Sequence, residues 1–350
     1  MSATIRIGNR TIGAGHPVYI VAEISANHRQ NYEEAVKLVQ AAKQCGADAV
    51  KLQTFTPDTI TIRSDREYFR ISGGTPWDGR TLYDLYEEAY MPWDWQPKLK
   101  TVANGLGLDL FSSPFDGTAV EFLESIRVPA YKVASFEIVD LPLIERMART
   151  GKPLILSTGM ATMEEIQEAL DAAREAGAKE ICLLKCNSAY PAPPDEMNLQ
   201  TIPDMRKVFG LPVGLSDHTL GVSAPIAAVA LGACVVEKHF TLSRQAGGPD
   251  SAFSMEPAEF RGMVDGVRTA EKSLGSPRYE ATPAEANSRH FRRSLFVVSD
   301  MKTGDVFTEQ NVRSIRPADG LHPRHLKEVL GHIAKQDISA GTPLKWSLIG

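Results

Sequence analysis

Short apolar runs recur along most of the chain, and each is followed by a stretch in which apolar residues return at helical spacing. The first, VYIVAEI at 18–24, has the near-continuous hydrophobicity of a strand buried on both faces of a parallel sheet. SANHRQN then leads into a helix predicted over 32–45, where Ala35, Leu38, Val39 and Ala42 keep one face apolar and Gly46 ends it. ADAVKLQT at 47–54 is a second strand, with Lys51 and Gln53 on one face and Val50 and Leu52 on the other. Further strands are predicted near 108, 130, 153, 181, 212 and 234, each trailed by a helix or a long loop. Eight such units over about 270 residues imply a closed (β/α)8 TIM barrel. A doubly wound open sheet is the alternative, and the regularity of the units favours closure.

Two stretches depart from this rhythm. Residues 55–92 form a long excursion rich in aromatic and charged side chains (Tyr68, Phe69, Trp77, Tyr83, Tyr86), and connections of that length usually serve as lids or substrate loops. After a helix at 259–274 the chain turns polar and proline-containing, and from His290 it breaks into short β-like runs with turns. The expected division is a barrel over 1–275, a linker over 276–290 and a small β-rich domain over 291–350. So small a core is marginal alone and should dock on something.

Composition narrows the partners. The formal net charge of −5, with pI near 6.0, argues against nucleic acid or an anionic membrane as the main partner. The N-terminal stretch has neither a basic start with an apolar run nor a cleavage site, and no window is apolar enough to span a bilayer, so a cytoplasmic location is expected. Cys45, Cys182, Cys186 and Cys234 fall in predicted helices and strands and are expected to be buried free thiols. Cys182 and Cys186 do not read as a metal pair, because four residues along a strand separate them by roughly 13 Å.

The candidate chemistry lies at the C-terminal ends of the predicted strands, where barrels build their sites. Glu23, Lys51, Gln53, Ser113, Lys132, Ser135, Glu137, Ser157, Ser188, Tyr190, Ser216, His218, Glu237 and His239 all fall there. A lysine alternating with apolar neighbours cannot easily reach water, so Lys51 is either an anion ligand or the partner of Glu23. Two lysines among several hydroxyls suit phosphate. Two histidines closing successive strands suit a divalent metal able to polarise a carbonyl. A metal-dependent aldolase or lyase could use the same parts, and the tail alone could be read as an ice- or carbohydrate-binding module.

In order along the chain, AEISANH (22–28), DAVKLQT (48–54), FSSPFD (111–116), YKVASFE (131–137), ILSTGM (155–160), GLSDHTLG (214–221), EKHFTL (237–242) and GGPDSAFSMEP (247–257) resemble the motifs of the sialic-acid synthase family. The tail, with IRPADG and ISAGTPL, resembles that family's SAF (antifreeze-like) domain. The resemblance implies condensation of phosphoenolpyruvate with an N-acylated amino sugar. It implies phosphoenolpyruvate contacts from Lys51, Ser113, Lys132, Ser135, Ser157, Ser188 and Ser216, and sugar contacts from Gln53, Glu137, Tyr190, Asp250 and Arg316. His218 and His239 would hold a divalent metal (Mn, Mg or Co), and Glu23 or Glu237 would stabilise the cation that forms during the reaction. SANH and GGPDSAFS resemble the branch whose acceptor is 2,4-diacetamido-2,4,6-trideoxy-L-altrose, with the neuraminate- and legionaminate-forming branches as the alternative. CNSAYP at 186–191 departs from the family, where relatives carry Thr at the position of Asn187 and sialic acid synthases carry Asn where Ser188 stands. The resemblance further implies a homodimer in which Arg316 reaches a partner's active site.

Overall fold

Twelve strands are present among residues 4–350, the part of the chain described by the computed structural model. Two short ones, β1 (Thr4–Ile7) and β2 (Arg10–Gly13), pair antiparallel. Eight form the barrel: β3 (Tyr19–Glu23), β4 (Ala49–Thr54), β5 (Asp109–Pro114), β6 (Tyr131–Val133), β7 (Leu154–Ser157), β8 (Ile181–Cys186), β9 (Val213–Asp217) and β10 (Val235–His239). Each is hydrogen-bonded in parallel to its neighbour in sequence, and β10 closes on β3. β11 (Ser294–Val297) and β12 (Val312–Ile315) belong to the C-terminal part. By its internal contacts the chain divides into two units, Met1–Gly275 and Ser276–Gly350.

The barrel strands are apolar on both faces because both are covered. Outward residues such as Ile20, Val50 and Leu52 pack with Leu38, Val39 and Ala42 of the helix Tyr32–Gln44. Inward residues of the lower half (Tyr19, Val21, Ala49, Phe111, Ile155, Leu184, Val235) form a separate cluster. Gly214 on β9 is required there by packing, since a Cβ would stand 2.6 Å from that of Val235. Above this plug the inward positions turn polar.

The hairpin β1–β2 was not among the predicted elements. Its exposed and buried positions alternate along β1, and Ile5, Ile7 and Ile12 join the inward cluster, so it stoppers the N-terminal end of the barrel. Gly8 turns it with φ +55°, and its place is crowded by Asp109. A glycine–asparagine pair between alternating isoleucines is a hairpin signal that was available in the sequence. The helix Thr201–Phe209, also unpredicted, fills the segment before β9 and ends at left-handed Gly210.

In the second unit β11 and β12 pair antiparallel, and isolated bridges tie further short segments. Leu295, Val297, Phe307, Val312, Val329, Ile338 and Leu344 are among the residues of its core. Residues 276–290 are exposed.

Candidate active site

Alternation along the strands decides which side chains enter the barrel above its apolar plug. Lys51 and Gln53 on β4, Lys132 on β6 and Glu237 and His239 on β10 all point inward. Lys51 Nζ lies 2.8 Å from Glu237 Oε1 and 3.0 Å from Glu23 Oε2. Lys132 Nζ is 3.5 Å from the same Glu237 oxygen, which also accepts from Ser216 Oγ at 3.3 Å. Gln53 Nε2 donates to Glu23 Oε1 at 3.1 Å. The ion pair between Lys51 and Glu23 therefore exists, and it is one edge of a larger cluster.

Burial and charge set the protonation of this cluster. Burial raises Glu23 to about 7, with Lys51 opposing and Glu237 adding to the rise. Burial also works against ionised Glu237, but Lys132 and Lys51 outweigh it and hold that carboxyl down to about 2. Lys51 is pushed up, its own burial being outweighed by the two carboxyls. Burial pulls Lys132 down, and Glu237 resists. With Glu23 protonated, the cluster holds a surplus of positive charge, which suits an incoming anion.

Several polar atoms around it have no protein partner. The hydroxyls of Ser113 and Ser157 and one oxygen each of Glu137 and Glu237 are buried without a hydrogen bond. Such atoms are costly to bury unless something satisfies them. Ser135 Oγ accepts from Gly159 N at 3.2 Å, and a Cβ on Gly159 would stand 2.7 Å from that hydroxyl and 2.2 Å from Ser188 Oγ. Gly159 thus leaves room for the hydroxyls of Ser135 and Ser188. It was absent from the expected site residues, although the STG turn after β7 carried it in plain view.

The two histidines stand with ring centroids 5.2 Å apart. His218 Nδ1 is 2.7 Å from the Asn187 carbonyl, which can only accept, so Nδ1 carries a proton and, in the neutral ring, Nε2 keeps its lone pair. His239 Nδ1 lies 3.2 Å from Ser25 Oγ, and burial, with His218 adding to it, pushes its pKa well down, favouring the neutral ligand form. These two imidazoles fit a shared divalent cation. Among the described residues no group of three or more His, Cys, Asp or Glu side chains is gathered to hold a metal, so any further ligands would come from substrate or water.

Around the histidines, Tyr190 lies 4.4 Å from the His218 ring, and Asp250 accepts from Ala26 N at 3.3 Å. Burial raises Asp250, and it raises Glu137 to about 7. Arg316 belongs to the second unit, directly after β12, where it is exposed and makes no hydrogen bond with any described residue. Of the motif residues, Asn27 and His28 serve the architecture. Asn27 donates to the Phe240 carbonyl and to Ser254 Oγ, tying the loop after β3 to the loop after β10, and His28 is buried against Trp95. Asp217 and Lys238 form a fully buried pair with Thr219. All four cysteines are free and buried. A cavity of about 540 Å³ opens at the other end of the barrel, beside Arg206, Lys207 and Cys234, away from the lysine and histidine cluster.

Comparison with known proteins places this arrangement. Residues 38–279 match the NeuB family model, and residues 292–350 match the SAF domain. A pseudaminic acid synthase of Campylobacter jejuni is 45% identical over 343 residues, covering 98% of this chain and 99% of that one. An N,N'-diacetyllegionaminic acid synthase of Legionella pneumophila is 35% identical, covering 98% and 97%. The crystal structure of the spore coat polysaccharide biosynthesis protein SpsE from Bacillus subtilis superposes with a TM-score of 0.68 at 33% identity, covering 99% of each chain. The closed barrel, the C-terminal unit and these matches agree, and the chain belongs to the NeuB family, with a SAF domain at its C-terminal end.

Proposed function

We propose that this chain condenses phosphoenolpyruvate with 2,4-diacetamido-2,4,6-trideoxy-L-altrose, giving pseudaminic acid and inorganic phosphate. The observation that supports it most is the buried cluster of Lys51 and Lys132 with unpartnered serine hydroxyls and the opening at Gly159. It offers charge and short donors to a phosphorylated carboxylate. The identity to the Campylobacter pseudaminic acid synthase, higher than to the Legionella legionaminic acid synthase, supports the choice of acceptor.

In this reading Lys51, Lys132 and the hydroxyls of Ser113, Ser135, Ser157, Ser188 and Ser216 hold phosphoenolpyruvate. Gln53, Glu137, Tyr190 and Asp250 face the sugar. A divalent cation (Mn, Mg or Co) held by His218 and His239 would, when bound, polarise the open-chain aldehyde. C3 of phosphoenolpyruvate attacks C1 of the sugar, water adds at C2, and the C2–O bond to phosphate breaks. Glu237, ionised beside the lysines, stabilises positive charge developing at C2. Glu23, poised near neutrality, exchanges a proton with the attacking water. Arg316, exposed and unpaired among the described residues, is proposed to reach the barrel of a second copy in a homodimer. Among the described residues no helix is long and apolar enough to cross a membrane. We place the reaction in the cytoplasm, where phosphoenolpyruvate is made.

The test uses purified protein, phosphoenolpyruvate, a divalent metal and each candidate sugar, with phosphate release and product mass recorded. Release of phosphate with the diacetamido sugar and the mass of the condensed acid are expected. Condensation without phosphate release would assign an aldolase, and preference for N-acetylmannosamine would move the chain to the neuraminate-forming branch.

A further inference from the structure

Trp77 lies in the long excursion after β4, outside every motif used above, yet its ring comes back to the histidine pair. Its centroid is 5.6 Å from Tyr190 and 6.1 Å from Phe253. Tyr190 and Phe253 are 5.0 Å apart, and Phe253 is 5.0 Å from His239. Three aromatic rings therefore wall one side of a site whose other groups are charged or polar.

The loop that carries Trp77 is built to hold it there. Arg70 and Thr81 form an antiparallel bridge at its neck, and Gly79 N and Ile71 N bond across it to Ile71 O and Arg80 O, each at 2.9 Å. Inside the loop the Asp78 carboxylate accepts from Gly73 N, Gly74 N, Thr75 N and Thr75 Oγ1. Gly73, Gly74 and Gly79 have positive φ, which such tight chain reversal requires. At the tip, Trp77 Nε1 donates to Pro249 O at 2.8 Å, fastening this loop to the one after β10 that carries Asp250. The indole is thus fixed by its polar edge, and its half-buried ring packs with Tyr190 and Phe253.

We propose that Trp77 is a specificity-determining residue. With Tyr190 and Phe253 it forms an apolar wall that receives a methyl-bearing edge of the acceptor and disfavours a hydroxyl in the same place. This rests on the condensation reading given above. The recognised chemistry is a methyl group, which in a deoxygenated, N-acylated sugar comes either from C6 or from an acetamido group. An apolar surface discriminates by desolvation, since a hydroxyl placed against it loses water and gains no partner.

The experiment compares kcat/KM of the wild-type protein with Trp77→Ala and Trp77→Gln for three acceptors. They are the diacetamido trideoxy sugar, its 6-hydroxy counterpart, and its counterpart with a 4-hydroxyl in place of the 4-acetamido group. Wild type should prefer the parent sugar over at least one counterpart by about tenfold or more, the span a single apolar contact supplies. Both variants should lose most of that preference through the acceptor KM, while the phosphoenolpyruvate KM stays within about twofold. The counterpart whose handicap disappears identifies which methyl meets the wall. Trp77→Gln keeps an N–H for Pro249, so it separates the wall from the clip and serves if the alanine chain does not fold. An unchanged preference in Trp77→Gln, or equal losses toward every acceptor and phosphoenolpyruvate, would overturn the assignment. A wild-type protein that condenses no acceptor with phosphoenolpyruvate would instead defeat the underlying reading, and this inference with it.

Discussion

Removing Lys51 strips the close cation from two buried carboxyls, Glu23 at 3.0 Å and Glu237 at 2.8 Å, whereas removing Lys132 leaves Glu237 still paired with Lys51. Breaking a buried pair costs roughly 3–5 kcal/mol, so Lys51→Ala should lower the urea midpoint clearly and Lys132→Ala should barely change it. Both should raise the phosphoenolpyruvate KM by about one to two decades, the value of a charge-assisted bond to an anion of about 1.5–3 kcal/mol. Unchanged phosphoenolpyruvate kinetics would return both lysines to a purely structural role. Glu137 offers a pH test. Burial raises its folded pKa from 4.5 to about 7, so between those values the unfolded chain releases its proton first and the folded state loses stability as pH rises. The loss is complete above about pH 7 and absent well below pH 4.5. Glu137→Gln should therefore stabilise the protein at pH 8 by something on the order of 2–3 kcal/mol more than at pH 4, read from denaturant midpoints. A pH-independent difference would show that the carboxyl ionises in the fold as freely as in water.

Hairpin and strand-end loop respond to substitution in opposite ways. Ile7 is wholly buried in the barrel floor, so Ile7→Ala should cost about 2–5 kcal/mol in denaturation while kcat per folded molecule is kept. Gly159→Ala needs no forbidden backbone angle but brings a Cβ to 2.2 Å from Ser188 Oγ. It should reduce kcat/KM for phosphoenolpyruvate at least tenfold, with a stability change within about 1 kcal/mol. The eight barrel strands were legible in the sequence because a strand covered on both faces must be apolar throughout. Their polar interruptions were legible for the same reason, since Glu23, Lys51, Lys132 and Glu237 could not stand in such runs without partners. β1 and β2 escaped notice because four-residue strands give little periodicity to measure. Trp77 was legible only as one of several aromatics in an expected lid or substrate loop: its partner Pro249 lies 172 residues away, and no local pattern announces so distant a hydrogen bond. Gly159 was visible as a letter, but its use is a statement about the space around it, which only the packed strands define.

At the scale of the molecule, the SAF unit has a modest core and presents Arg316 unpaired among the described residues. If it serves a neighbour's barrel, inactive Arg316→Ala chains mixed with inactive His218→Ala chains should regain activity. Random exchange makes about half the dimers mixed, each with one intact site, so recovery should approach about a quarter of wild type. A demonstrated mixed dimer without recovery would mean that each chain completes its own site. The hairpin at the barrel floor has a further consequence. Ile5, Ile7 and Ile12 pack into the lower end of the barrel, among the described residues, so the polar interior faces the C-terminal ends of the strands. Lys51 and Glu237 sit two residues before Gln53 and His239 on their strands, hence roughly 7 Å further from those ends. If Lys51 holds phosphoenolpyruvate and Gln53 faces the sugar, as proposed, phosphoenolpyruvate is expected to enter before the sugar, and the sugar acid to leave before the phosphate. Phosphate should accordingly inhibit competitively against phosphoenolpyruvate and not against the sugar, a pattern that product-inhibition kinetics would expose and that a second exit would abolish.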